Sequence, residues 1–525
     1  MSAKPVVVIG AGIGGLTAAA LLAHAGCPVV VLEAHWDPGG CAATFFRKGF
    51  RFDAGATLAA GFLPGMPMAR LGERLGIDWG VRPEAVAMQI HLSDGTVVTR
   101  WTDRERWREE RQAHFGPAAE PFWRWQERTA RAFWAMALRG MPWPPQTVDE
   151  ALRWLAEGIG WLREEPARIG ALAALFRPVT AYLPPAHPRL HEFIHAQLLI
   201  SAQALAERVY AAYGAAALDL PHTGVGSVPG GIGELATRLA EAVQRFGGQI
   251  HFRQEVVRVR LTRAGTARVE TRAGMVVEAD HVIFNLTPFD AARLLGEEAP
   301  AALQRVPPAP PDGWGAFVVY AGIRSEGLPE DLPLHHQIVQ GGGWGEGHTL
   351  FVSISPPWDP LRAPAGHRAL TISTHTALAP WWRLWASDRE AYEERRLQME
   401  ERIRKATARV ISDLDARIVF WESGTPITFQ RFTRRSMGWV GGFPQTHIGR
   451  NGGPRIGARL WRVGDSIFPG QSIPAVVLGA WRTAEAIQRA MVETARVQLF
   501  PAPRLSHAKT ANPFGNFIRP AREPR

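Results

Sequence analysis

Lys4-Pro5-Val6-Val7-Val8-Ile9-Gly10-Ala11-Gly12-Ile13-Gly14-Gly15-Leu16-Thr17-Ala18-Ala19-Ala20, followed by Cys27-Pro28-Val29-Val30-Val31-Leu32-Glu33, decides the fold. A β-branched apolar run, a glycine turn, an Ala-rich helical segment and a second apolar run ending in a carboxylate describe one βαβ unit. Gly10 permits the tight turn, Gly12 lets a pyrophosphate approach bare backbone, and Gly15 lets the helix pack closely. The helix then presents unpaired N–H groups and the positive end of its dipole to the phosphates, with Gly14 in its first turn. Glu33 stands about twenty residues beyond the glycines, where ribose hydroxyls need an acceptor and a 2′-phosphate would be repelled. The predicted ligand is an adenosine diphosphate with a free ribose, as in FAD or NAD. A glycine turn without a ligand is the plainer alternative, and the register of strand, helix, strand and carboxylate weighs against it.

A chain of 525 residues is too long for one simple core, and two or three domains are expected. Hydrophobic residues make up 46% and charged residues 21%, the balance of a globular protein. No apolar run is long enough for a membrane-spanning helix, and the N-terminal strand belongs to the glycine turn rather than to a signal peptide. A cytoplasmic protein is therefore expected. Cys27 and Cys41 alone make neither a disulfide framework nor a metal site, which agrees with that address. The net charge of +10 permits attraction to anionic surfaces. The basic residues are almost all Arg, with Lys only at Lys4, Lys48, Lys405 and Lys509, and no zinc-finger spacing or RNP-like motif is present, so nucleic acid is disfavoured as a partner.

A second glycine cluster, Asp37-Pro38-Gly39-Gly40-Cys41, and then Asp53-Ala54-Gly55-Ala56-Thr57, follow Glu33 closely and predict more backbone against the cofactor. From 66 to 221 the character changes: Trp101, Trp107, Trp123, Trp125, Trp134, Trp143, Trp154 and Trp161 alternate with many Arg and Pro. Val148 to Leu162 and Leu190 to Arg208 have helical spacing. Ser227-Val228-Pro229-Gly230-Gly231 opens an amphipathic helix that stops at Gly247-Gly248, and Gln249 to Arg260 alternates as a strand. A hairpin around Ala273-Gly274 and a buried strand from Asp280 to Asn285 come next. Residues 301–445 mix strand-like runs with a charged helix from Asp388 to Ser412. Leu460 to Asp465 reads as a strand running into Gly464-Asp465, with a helix from about Pro474 to Val492 behind it. Asp465 at a strand end can accept ribityl hydroxyls, and that helix directs N–H groups at a flavin edge.

These segments together resemble the carotenoid desaturase and isomerase branch of the FAD-dependent amine oxidase superfamily. The resemblance rests on the glycine turn with Glu33, on Gly39-Gly40, on Gly49 to Thr57, on Val228 to Ile232, on Ala279 to Asn285, on Gly424-Thr425-Pro426 through Gly441-Gly442, and on Val463 to Val476. It implies an α/β chain with a Rossmann-type FAD-binding domain of glutathione reductase-like, amine oxidase-like topology, a mixed-sheet substrate domain and a helical cap that meets the membrane. The FAD-binding domain is expected to be discontinuous, over 1–65, 222–300 and 446–495. The cap would be 66–221, the substrate domain 301–445, and 496–525 a poorly ordered tail. The implied cofactor residues are Gly10, Gly12, Gly14, Gly15, Glu33, Ala34, Gly39, Gly40, Gly55, Ala56, Thr57, Val256, Gly464, Asp465, Pro474, Ala475 and Val476. Ile473 would share that last helix start, and Val256 looks like the residue whose backbone meets adenine. Where many amine oxidases read Gly-Gly-Arg this chain has Gly39-Gly40-Cys41, and Cys41 reads as a small packed thiol.

Only one dinucleotide fingerprint is present, so a flavin reoxidised by a small acceptor such as a quinone or O2 is expected rather than a nicotinamide partner. The leading function implied is desaturation of an acyclic carotenoid or related polyene, with a hydride leaving for flavin N5 and 3′,4′-desaturation of a hydroxylated intermediate as one form of it. Redox-neutral cis–trans isomerisation, amine oxidation and a non-enzymatic flavoprotein or prenyl-lipid chaperone are the alternatives. No catalytic side chain stands out; His375 and Arg435 are candidates that read more readily as structural. The Trp- and Arg-rich stretch from 100 to 200 suggests a peripheral dip into the inner face of the membrane, against the plainer reading that its tryptophans pack the cap.

Overall fold

Five short apolar strands lie parallel in the order Leu460–Arg462, His281–Phe284, Val6–Ile9, Val29–Leu32 and Gln249–His251. The computed structural model describes residues 4–141, 143–262, 265–304 and 313–499, with side chains to residue 493. Residues 1–485 form one compact unit and 486–525 a second, of which the end of the helix Ile473–Leu499 is described. Val6, Val7 and Val8 are fully buried, as a parallel strand covered on both faces requires. The helices Ile13–His24 and Glu234–Arg245 pack together, and Val7, Ile9, Val282 and Phe284 share a core with the antiparallel sheet Val256–Leu261, Ala267–Thr271 and Val276–Ala279.

From Val6–Ile9 the chain moves to one side through Val29–Leu32 and Gln249–His251, then returns on the other side through His281–Phe284 and Leu460–Arg462. A crevice opens at the carboxyl ends of the strands where such an order reverses. Gly10, Glu33, Asn285 and Gly464 all lie just beyond those carboxyl ends.

A seven-stranded sheet runs Ile418–Gly424, Trp314–Arg324, His367–Ala377, Thr349–Ile354, His335–Val339, Val86–His91 and Val97–Trp101. Its pairings are antiparallel except for His335–Val339 beside Val86–His91. Phe317, Val319, Ile338, Val352 and Ile372 bury one face with Trp381, Met399 and Ile403 from the helices Leu378–Ser387 and Arg389–Thr407. The helices Arg104–Phe115, Glu120–Ala137, Pro188–Ala202 and Ala211–Leu218 build a separate core around Trp107, Trp123 and Phe193.

The structure departs from the sequence reading in four places. Val86–His91 and Val97–Trp101 join the substrate sheet although they fall within 66–221, because Val86–His91 pairs with His335–Val339 while Met88, Ile90 and Val98 pack in the cap's core with Trp107 and Trp123. The run 249–260 is two strands in two sheets: Arg253 takes φ 57°, and Arg253 N and Gln254 N donate to the His35 and Glu33 carbonyls, which turns the chain between them. Trp107, Trp123 and Trp161 are each 1% exposed, so these tryptophans pack the cap instead of facing lipid. Residues 496–499 are helical; the remainder of the expected tail lies outside the described residues.

Candidate cofactor and active site

Asn285 is the peg of the glycine turn. Its Nδ2 donates to the Gly10 carbonyl at 3.2 Å. A Cβ on Gly12 would stand 2.8 Å from Nδ2, one on Gly14 3.0 Å from Oδ1 and one on Gly464 3.2 Å from Oδ1. Gly10 adopts φ 98°, the left-handed conformation that the tight turn needs. A Cβ on Gly15 would lie 2.3 Å from the Gly10 carbonyl oxygen, so this glycine sets how close the helix Ile13–His24 comes to the strand end. Sequence reasoning carried Asn285 only as the end of a strand motif. Its position directly after that strand, opposite the first turn, was the available signal.

Glu33 is held by two backbone donors, Ala11 N at 2.6 Å and His35 N at 2.8 Å. These bonds hold the Glu33-Ala34 bend against the glycine turn and leave each carboxylate oxygen a further lone pair for ribose hydroxyls. The bonds from Arg253 and Gln254 bring the start of the Val256 strand beside this bend. Gly39 bridges Gly12, and a Cβ on Gly40 would stand 3.7 Å from Gly12 Cα. Ala56 N donates to the Cys41 carbonyl at 3.0 Å, and a Cβ on Gly55 would come within 2.9 Å of that same oxygen. Gly39, Gly40, Gly55, Ala56 and Thr57 therefore form one backbone layer next to the turn. Asp53 pins it: Oδ1 accepts Thr44 Oγ1 at 2.6 Å and Ile232 N at 2.9 Å, and Oδ2 accepts Arg362 Nη2 at 2.9 Å. The Val228–Ile232 motif thus folds around Thr44 and Asp53, a role that sequence reasoning missed.

On the other side of the crevice, Gly464 N would be 3.0 Å and Val476 Cγ1 3.1 Å from a Cβ on Gly14. Ser472 caps the helix Ile473–Leu499 through Ala475 N at 3.3 Å. Pro474 packs on Gly61, whose Cβ would stand 3.0 Å from the Pro474 ring. Asp465 is paired with Arg435, Nη2 to Oδ2 at 2.8 Å, while Arg435 Nε donates to the Trp439 carbonyl at 2.7 Å. Asp465 holds the Arg435 guanidinium firmly charged despite its burial. Burial pushes the Cys41 thiol up, and Arg435 offsets only part of that, which agrees with a packed neutral thiol. His375 lies against Trp314, ring centroids 5.8 Å apart, and burial lowers its pKa to about 4. It is a neutral ring of the sheet.

The residues present fit a flavin dinucleotide. Two helix N-termini face one crevice, Gly12, Gly14 and Gly464 keep the space that a Cβ would fill, and Glu33 and Asp465 stand at its two ends as hydroxyl acceptors. Glu33, Val256 and the glycine turn would hold the adenosine diphosphate half; Gly464, Asp465 and the Pro474-Ala475-Val476 helix start would hold the ribityl and ring half. When bound, the flavin supplies hydride acceptance. The chain itself supplies orientation. Among the described residues no cluster of His, Cys, Asp and Glu could hold a metal ion.

Comparison with known proteins agrees with this geometry. A prolycopene isomerase of an Oncidium hybrid cultivar is 28% identical over 487 residues, covering 90% of this chain and 81% of the relative. A lycopene-forming phytoene desaturase of Paracoccus sp. is 25% identical over 525 aligned positions, covering 92% and 97%. An oxidoreductase from Methanosarcina mazei superposes with a TM-score of 0.60 at 18% identity, covering 92% of this chain and all of its own. The flavin containing amine oxidoreductase family matches residues 13–487, and the chain belongs to that family.

Proposed function

We propose that the protein is an FAD-dependent desaturase of an acyclic carotenoid, and that 3′,4′-desaturation of a hydroxylated intermediate is the form it takes. The observation that carries the reading is likeness along nine-tenths of the chain to enzymes named for isomerising or desaturating carotenoids, with one complete dinucleotide crevice behind it. Desaturation removes a hydride from an allylic carbon and a proton from its neighbour. A single dinucleotide fingerprint favours a small acceptor, a quinone or O2, for the electrons. Cis–trans isomerisation is the second reading, favoured by the prolycopene isomerase relative. Holoenzyme incubated with phytoene, lycopene, prolycopene and a 1-hydroxylated lycopene, with and without a quinone, decides by product mass. A product two hydrogens lighter is expected; an isomer of unchanged mass would replace desaturation with isomerisation.

The proposed location is the inner face of the cytoplasmic membrane, from which so apolar a substrate is delivered. Among the described residues no helix is long and apolar enough to cross a membrane. Support for a peripheral seat comes from the helix Val148–Glu164, where Val148, Leu152, Leu155 and Ile159 are exposed at i, i+4, i+7 and i+11. That spacing is one face of a helix, and exposed Ile169 and Phe176 follow it. The preceding Trp143 packs on Phe468 of the Gly464–Ser472 segment, centroids 6.3 Å apart, so the apolar face stands close in structure to the flavin end of the crevice. Burying such side chains is worth about 1.5–3 kcal/mol each when complete. The Leu152→Glu/Leu155→Glu variant should lose at least about tenfold of its affinity for liposomes in sedimentation. Wild-type protein that stays wholly in the supernatant would overturn the membrane seat.

A further inference from the structure

A line of hydrogen bonds leads away from the cofactor segment. Thr57 Oγ1 accepts from Ser353 Oγ at 2.7 Å, and Ser353 Oγ is bonded to His335 Nδ1 at 3.0 Å. Ser353 and His335 are directly paired across two antiparallel strands, so rigid backbone fixes their spacing. Beyond them lies a pocket whose polar lining is Thr57, Ser227, His335, Ser353, Ser355 and the Asp53–Arg362 ion pair, set among apolar side chains, which offers water the several polar partners it needs. On its far side Ser227 Oγ donates to Glu84 Oε1 at 2.6 Å, and Glu84 is partly open to solvent. Burial raises the Glu84 carboxyl above its ordinary range, with the Ser227 bond offsetting only part. His335 is held neutral by burial, its pKa lowered to about 3.

These groups have no evident part in holding a dinucleotide, Thr57 excepted. A His, two hydroxyls and a perturbed carboxyl set between the cofactor segment at Thr57 and the surface suit a proton. We propose that Thr57, Ser353, His335, water admitted to the pocket, Ser227 and Glu84 form the exit by which the proton of desaturation reaches solvent, an inference that rests on the desaturase reading above. In that reaction one C–H bond of the substrate breaks with its electron pair, the hydride reduces the flavin, and the neighbouring C–H bond breaks to form the double bond and free a proton. The proton is taken up at Thr57 Oγ as the Thr57 hydroxyl turns to donate to Ser353. It passes to His335 Nδ1 while the opposite ring nitrogen releases one to the pocket, and Glu84 hands it to bulk water. With the Ser353 hydroxyl donating to Thr57, His335 Nδ1 is the N–H donor to Ser353, so the relay starts once both hydroxyls rotate and the ring takes the tautomer with its proton on Nε2, which leaves Nδ1 bare to accept.

The test uses FAD-loaded protein and the carotenoid that is oxidised in the product assay, following flavin bleaching in stopped flow in H2O and D2O. Glu84→Gln is expected to slow bleaching about tenfold and to raise the solvent isotope effect, with acetate or imidazole buffer restoring the rate. His335→Phe should slow it more, without rescue. FAD affinity should stay at the wild-type value in Glu84→Gln, whose side chain lies on the far side of the pocket. Unchanged bleaching in both variants, or a loss in Glu84→Gln that no buffer rescues, would overturn the exit path, as would a loss that merely follows released FAD. Failure of the desaturase reading looks different: wild-type flavin would then show no bleaching and the product would keep its mass.

Discussion

Lowering the pH from 7.5 to 5.5 is expected to remove about 5 kcal/mol of folding stability. His222, His281, His335 and His336 are buried, and burial, joined in each by a neighbouring positive or histidine charge, lowers their pKa values to about 2, 4, 3 and 4 from 6.5. Their folded pKa values lie below the unfolded one, so the unfolded chain binds protons first as pH falls. The stability is complete above about pH 6.5 and is lost as pH drops through that value toward the folded pKa values. One unit below 6.5 each histidine costs about 1.4 kcal/mol. The hydrogen bonds fix which form is buried: His336 Nε2 donates to the Pro333 carbonyl at 2.8 Å, so its Nδ1 accepts from His91 Nε2 at 3.2 Å. The half-buried His91 and His375, both lowered to about 4, act in the same direction and make the sum conservative. Against a total of about 5–15 kcal/mol typical of a folded domain, that loss is a large share. Denaturant titrations followed by Trp fluorescence at the two pH values measure it. An unchanged midpoint would mean that the histidines are not buried neutral.

The histidines were invisible in the sequence as a group, because they come from separate strands and loops that only the tertiary fold buries. The crevice was legible for the opposite reason. Gly10 to Gly15 and Glu33 are local: one strand, one turn and one helix hold them in register, so spacing alone places them. Gly464-Asp465 could be read because a strand end and a following helix leave the same kind of local trace. Arg435 could not be assigned to Asp465, since they lie thirty positions apart, mostly in irregular chain, and only the fold closes the ion pair. The break at Arg253 was hidden because 249–260 alternates across it, and what splits the strand is a pair of backbone bonds to Glu33 and His35. The tryptophans misled by composition. Amphipathic rings suit a lipid interface and a protein core equally, and Trp107 and Trp123 chose the core, stacked and T-shaped against Phe193. The exposed stripe that remains is aliphatic. Its period was present in Val148 to Leu162, but which face is covered depends on neighbours the period does not name. His335, Ser353 and Glu84 follow the same logic, since a register across two strands brings the first pair together.

Gly15→Ala should damage the cofactor seat. Its Cβ would lie 2.3 Å from the Gly10 carbonyl oxygen and 3.0 Å from Asn285 Cβ, and neither the backbone oxygen nor the pegged Asn285 can give way. The helix Ile13–His24 must therefore retreat by about 1 Å from the strand end, a distortion that costs about 1–3 kcal/mol in a close-packed interior. Its N-terminal N–H groups retreat with it. A charge-assisted hydrogen bond to a phosphate is worth about 1.5–3 kcal/mol, so losing one weakens FAD by about 10- to 100-fold. Gly158→Ala is the matched control. Gly158 lies inside the helix Val148–Glu164, and a Cβ there meets nothing within 4 Å, so the methyl should stabilise by about 0.5–1 kcal/mol through helix propensity and leave FAD affinity alone. Titration of FAD by fluorescence quenching, with thermal melts of both proteins, reads the two signs. Equal FAD affinities in the two variants would show that the glycine turn does not set the cofactor's seat, because close approach of that helix is the only property Gly15→Ala removes and Gly158→Ala spares.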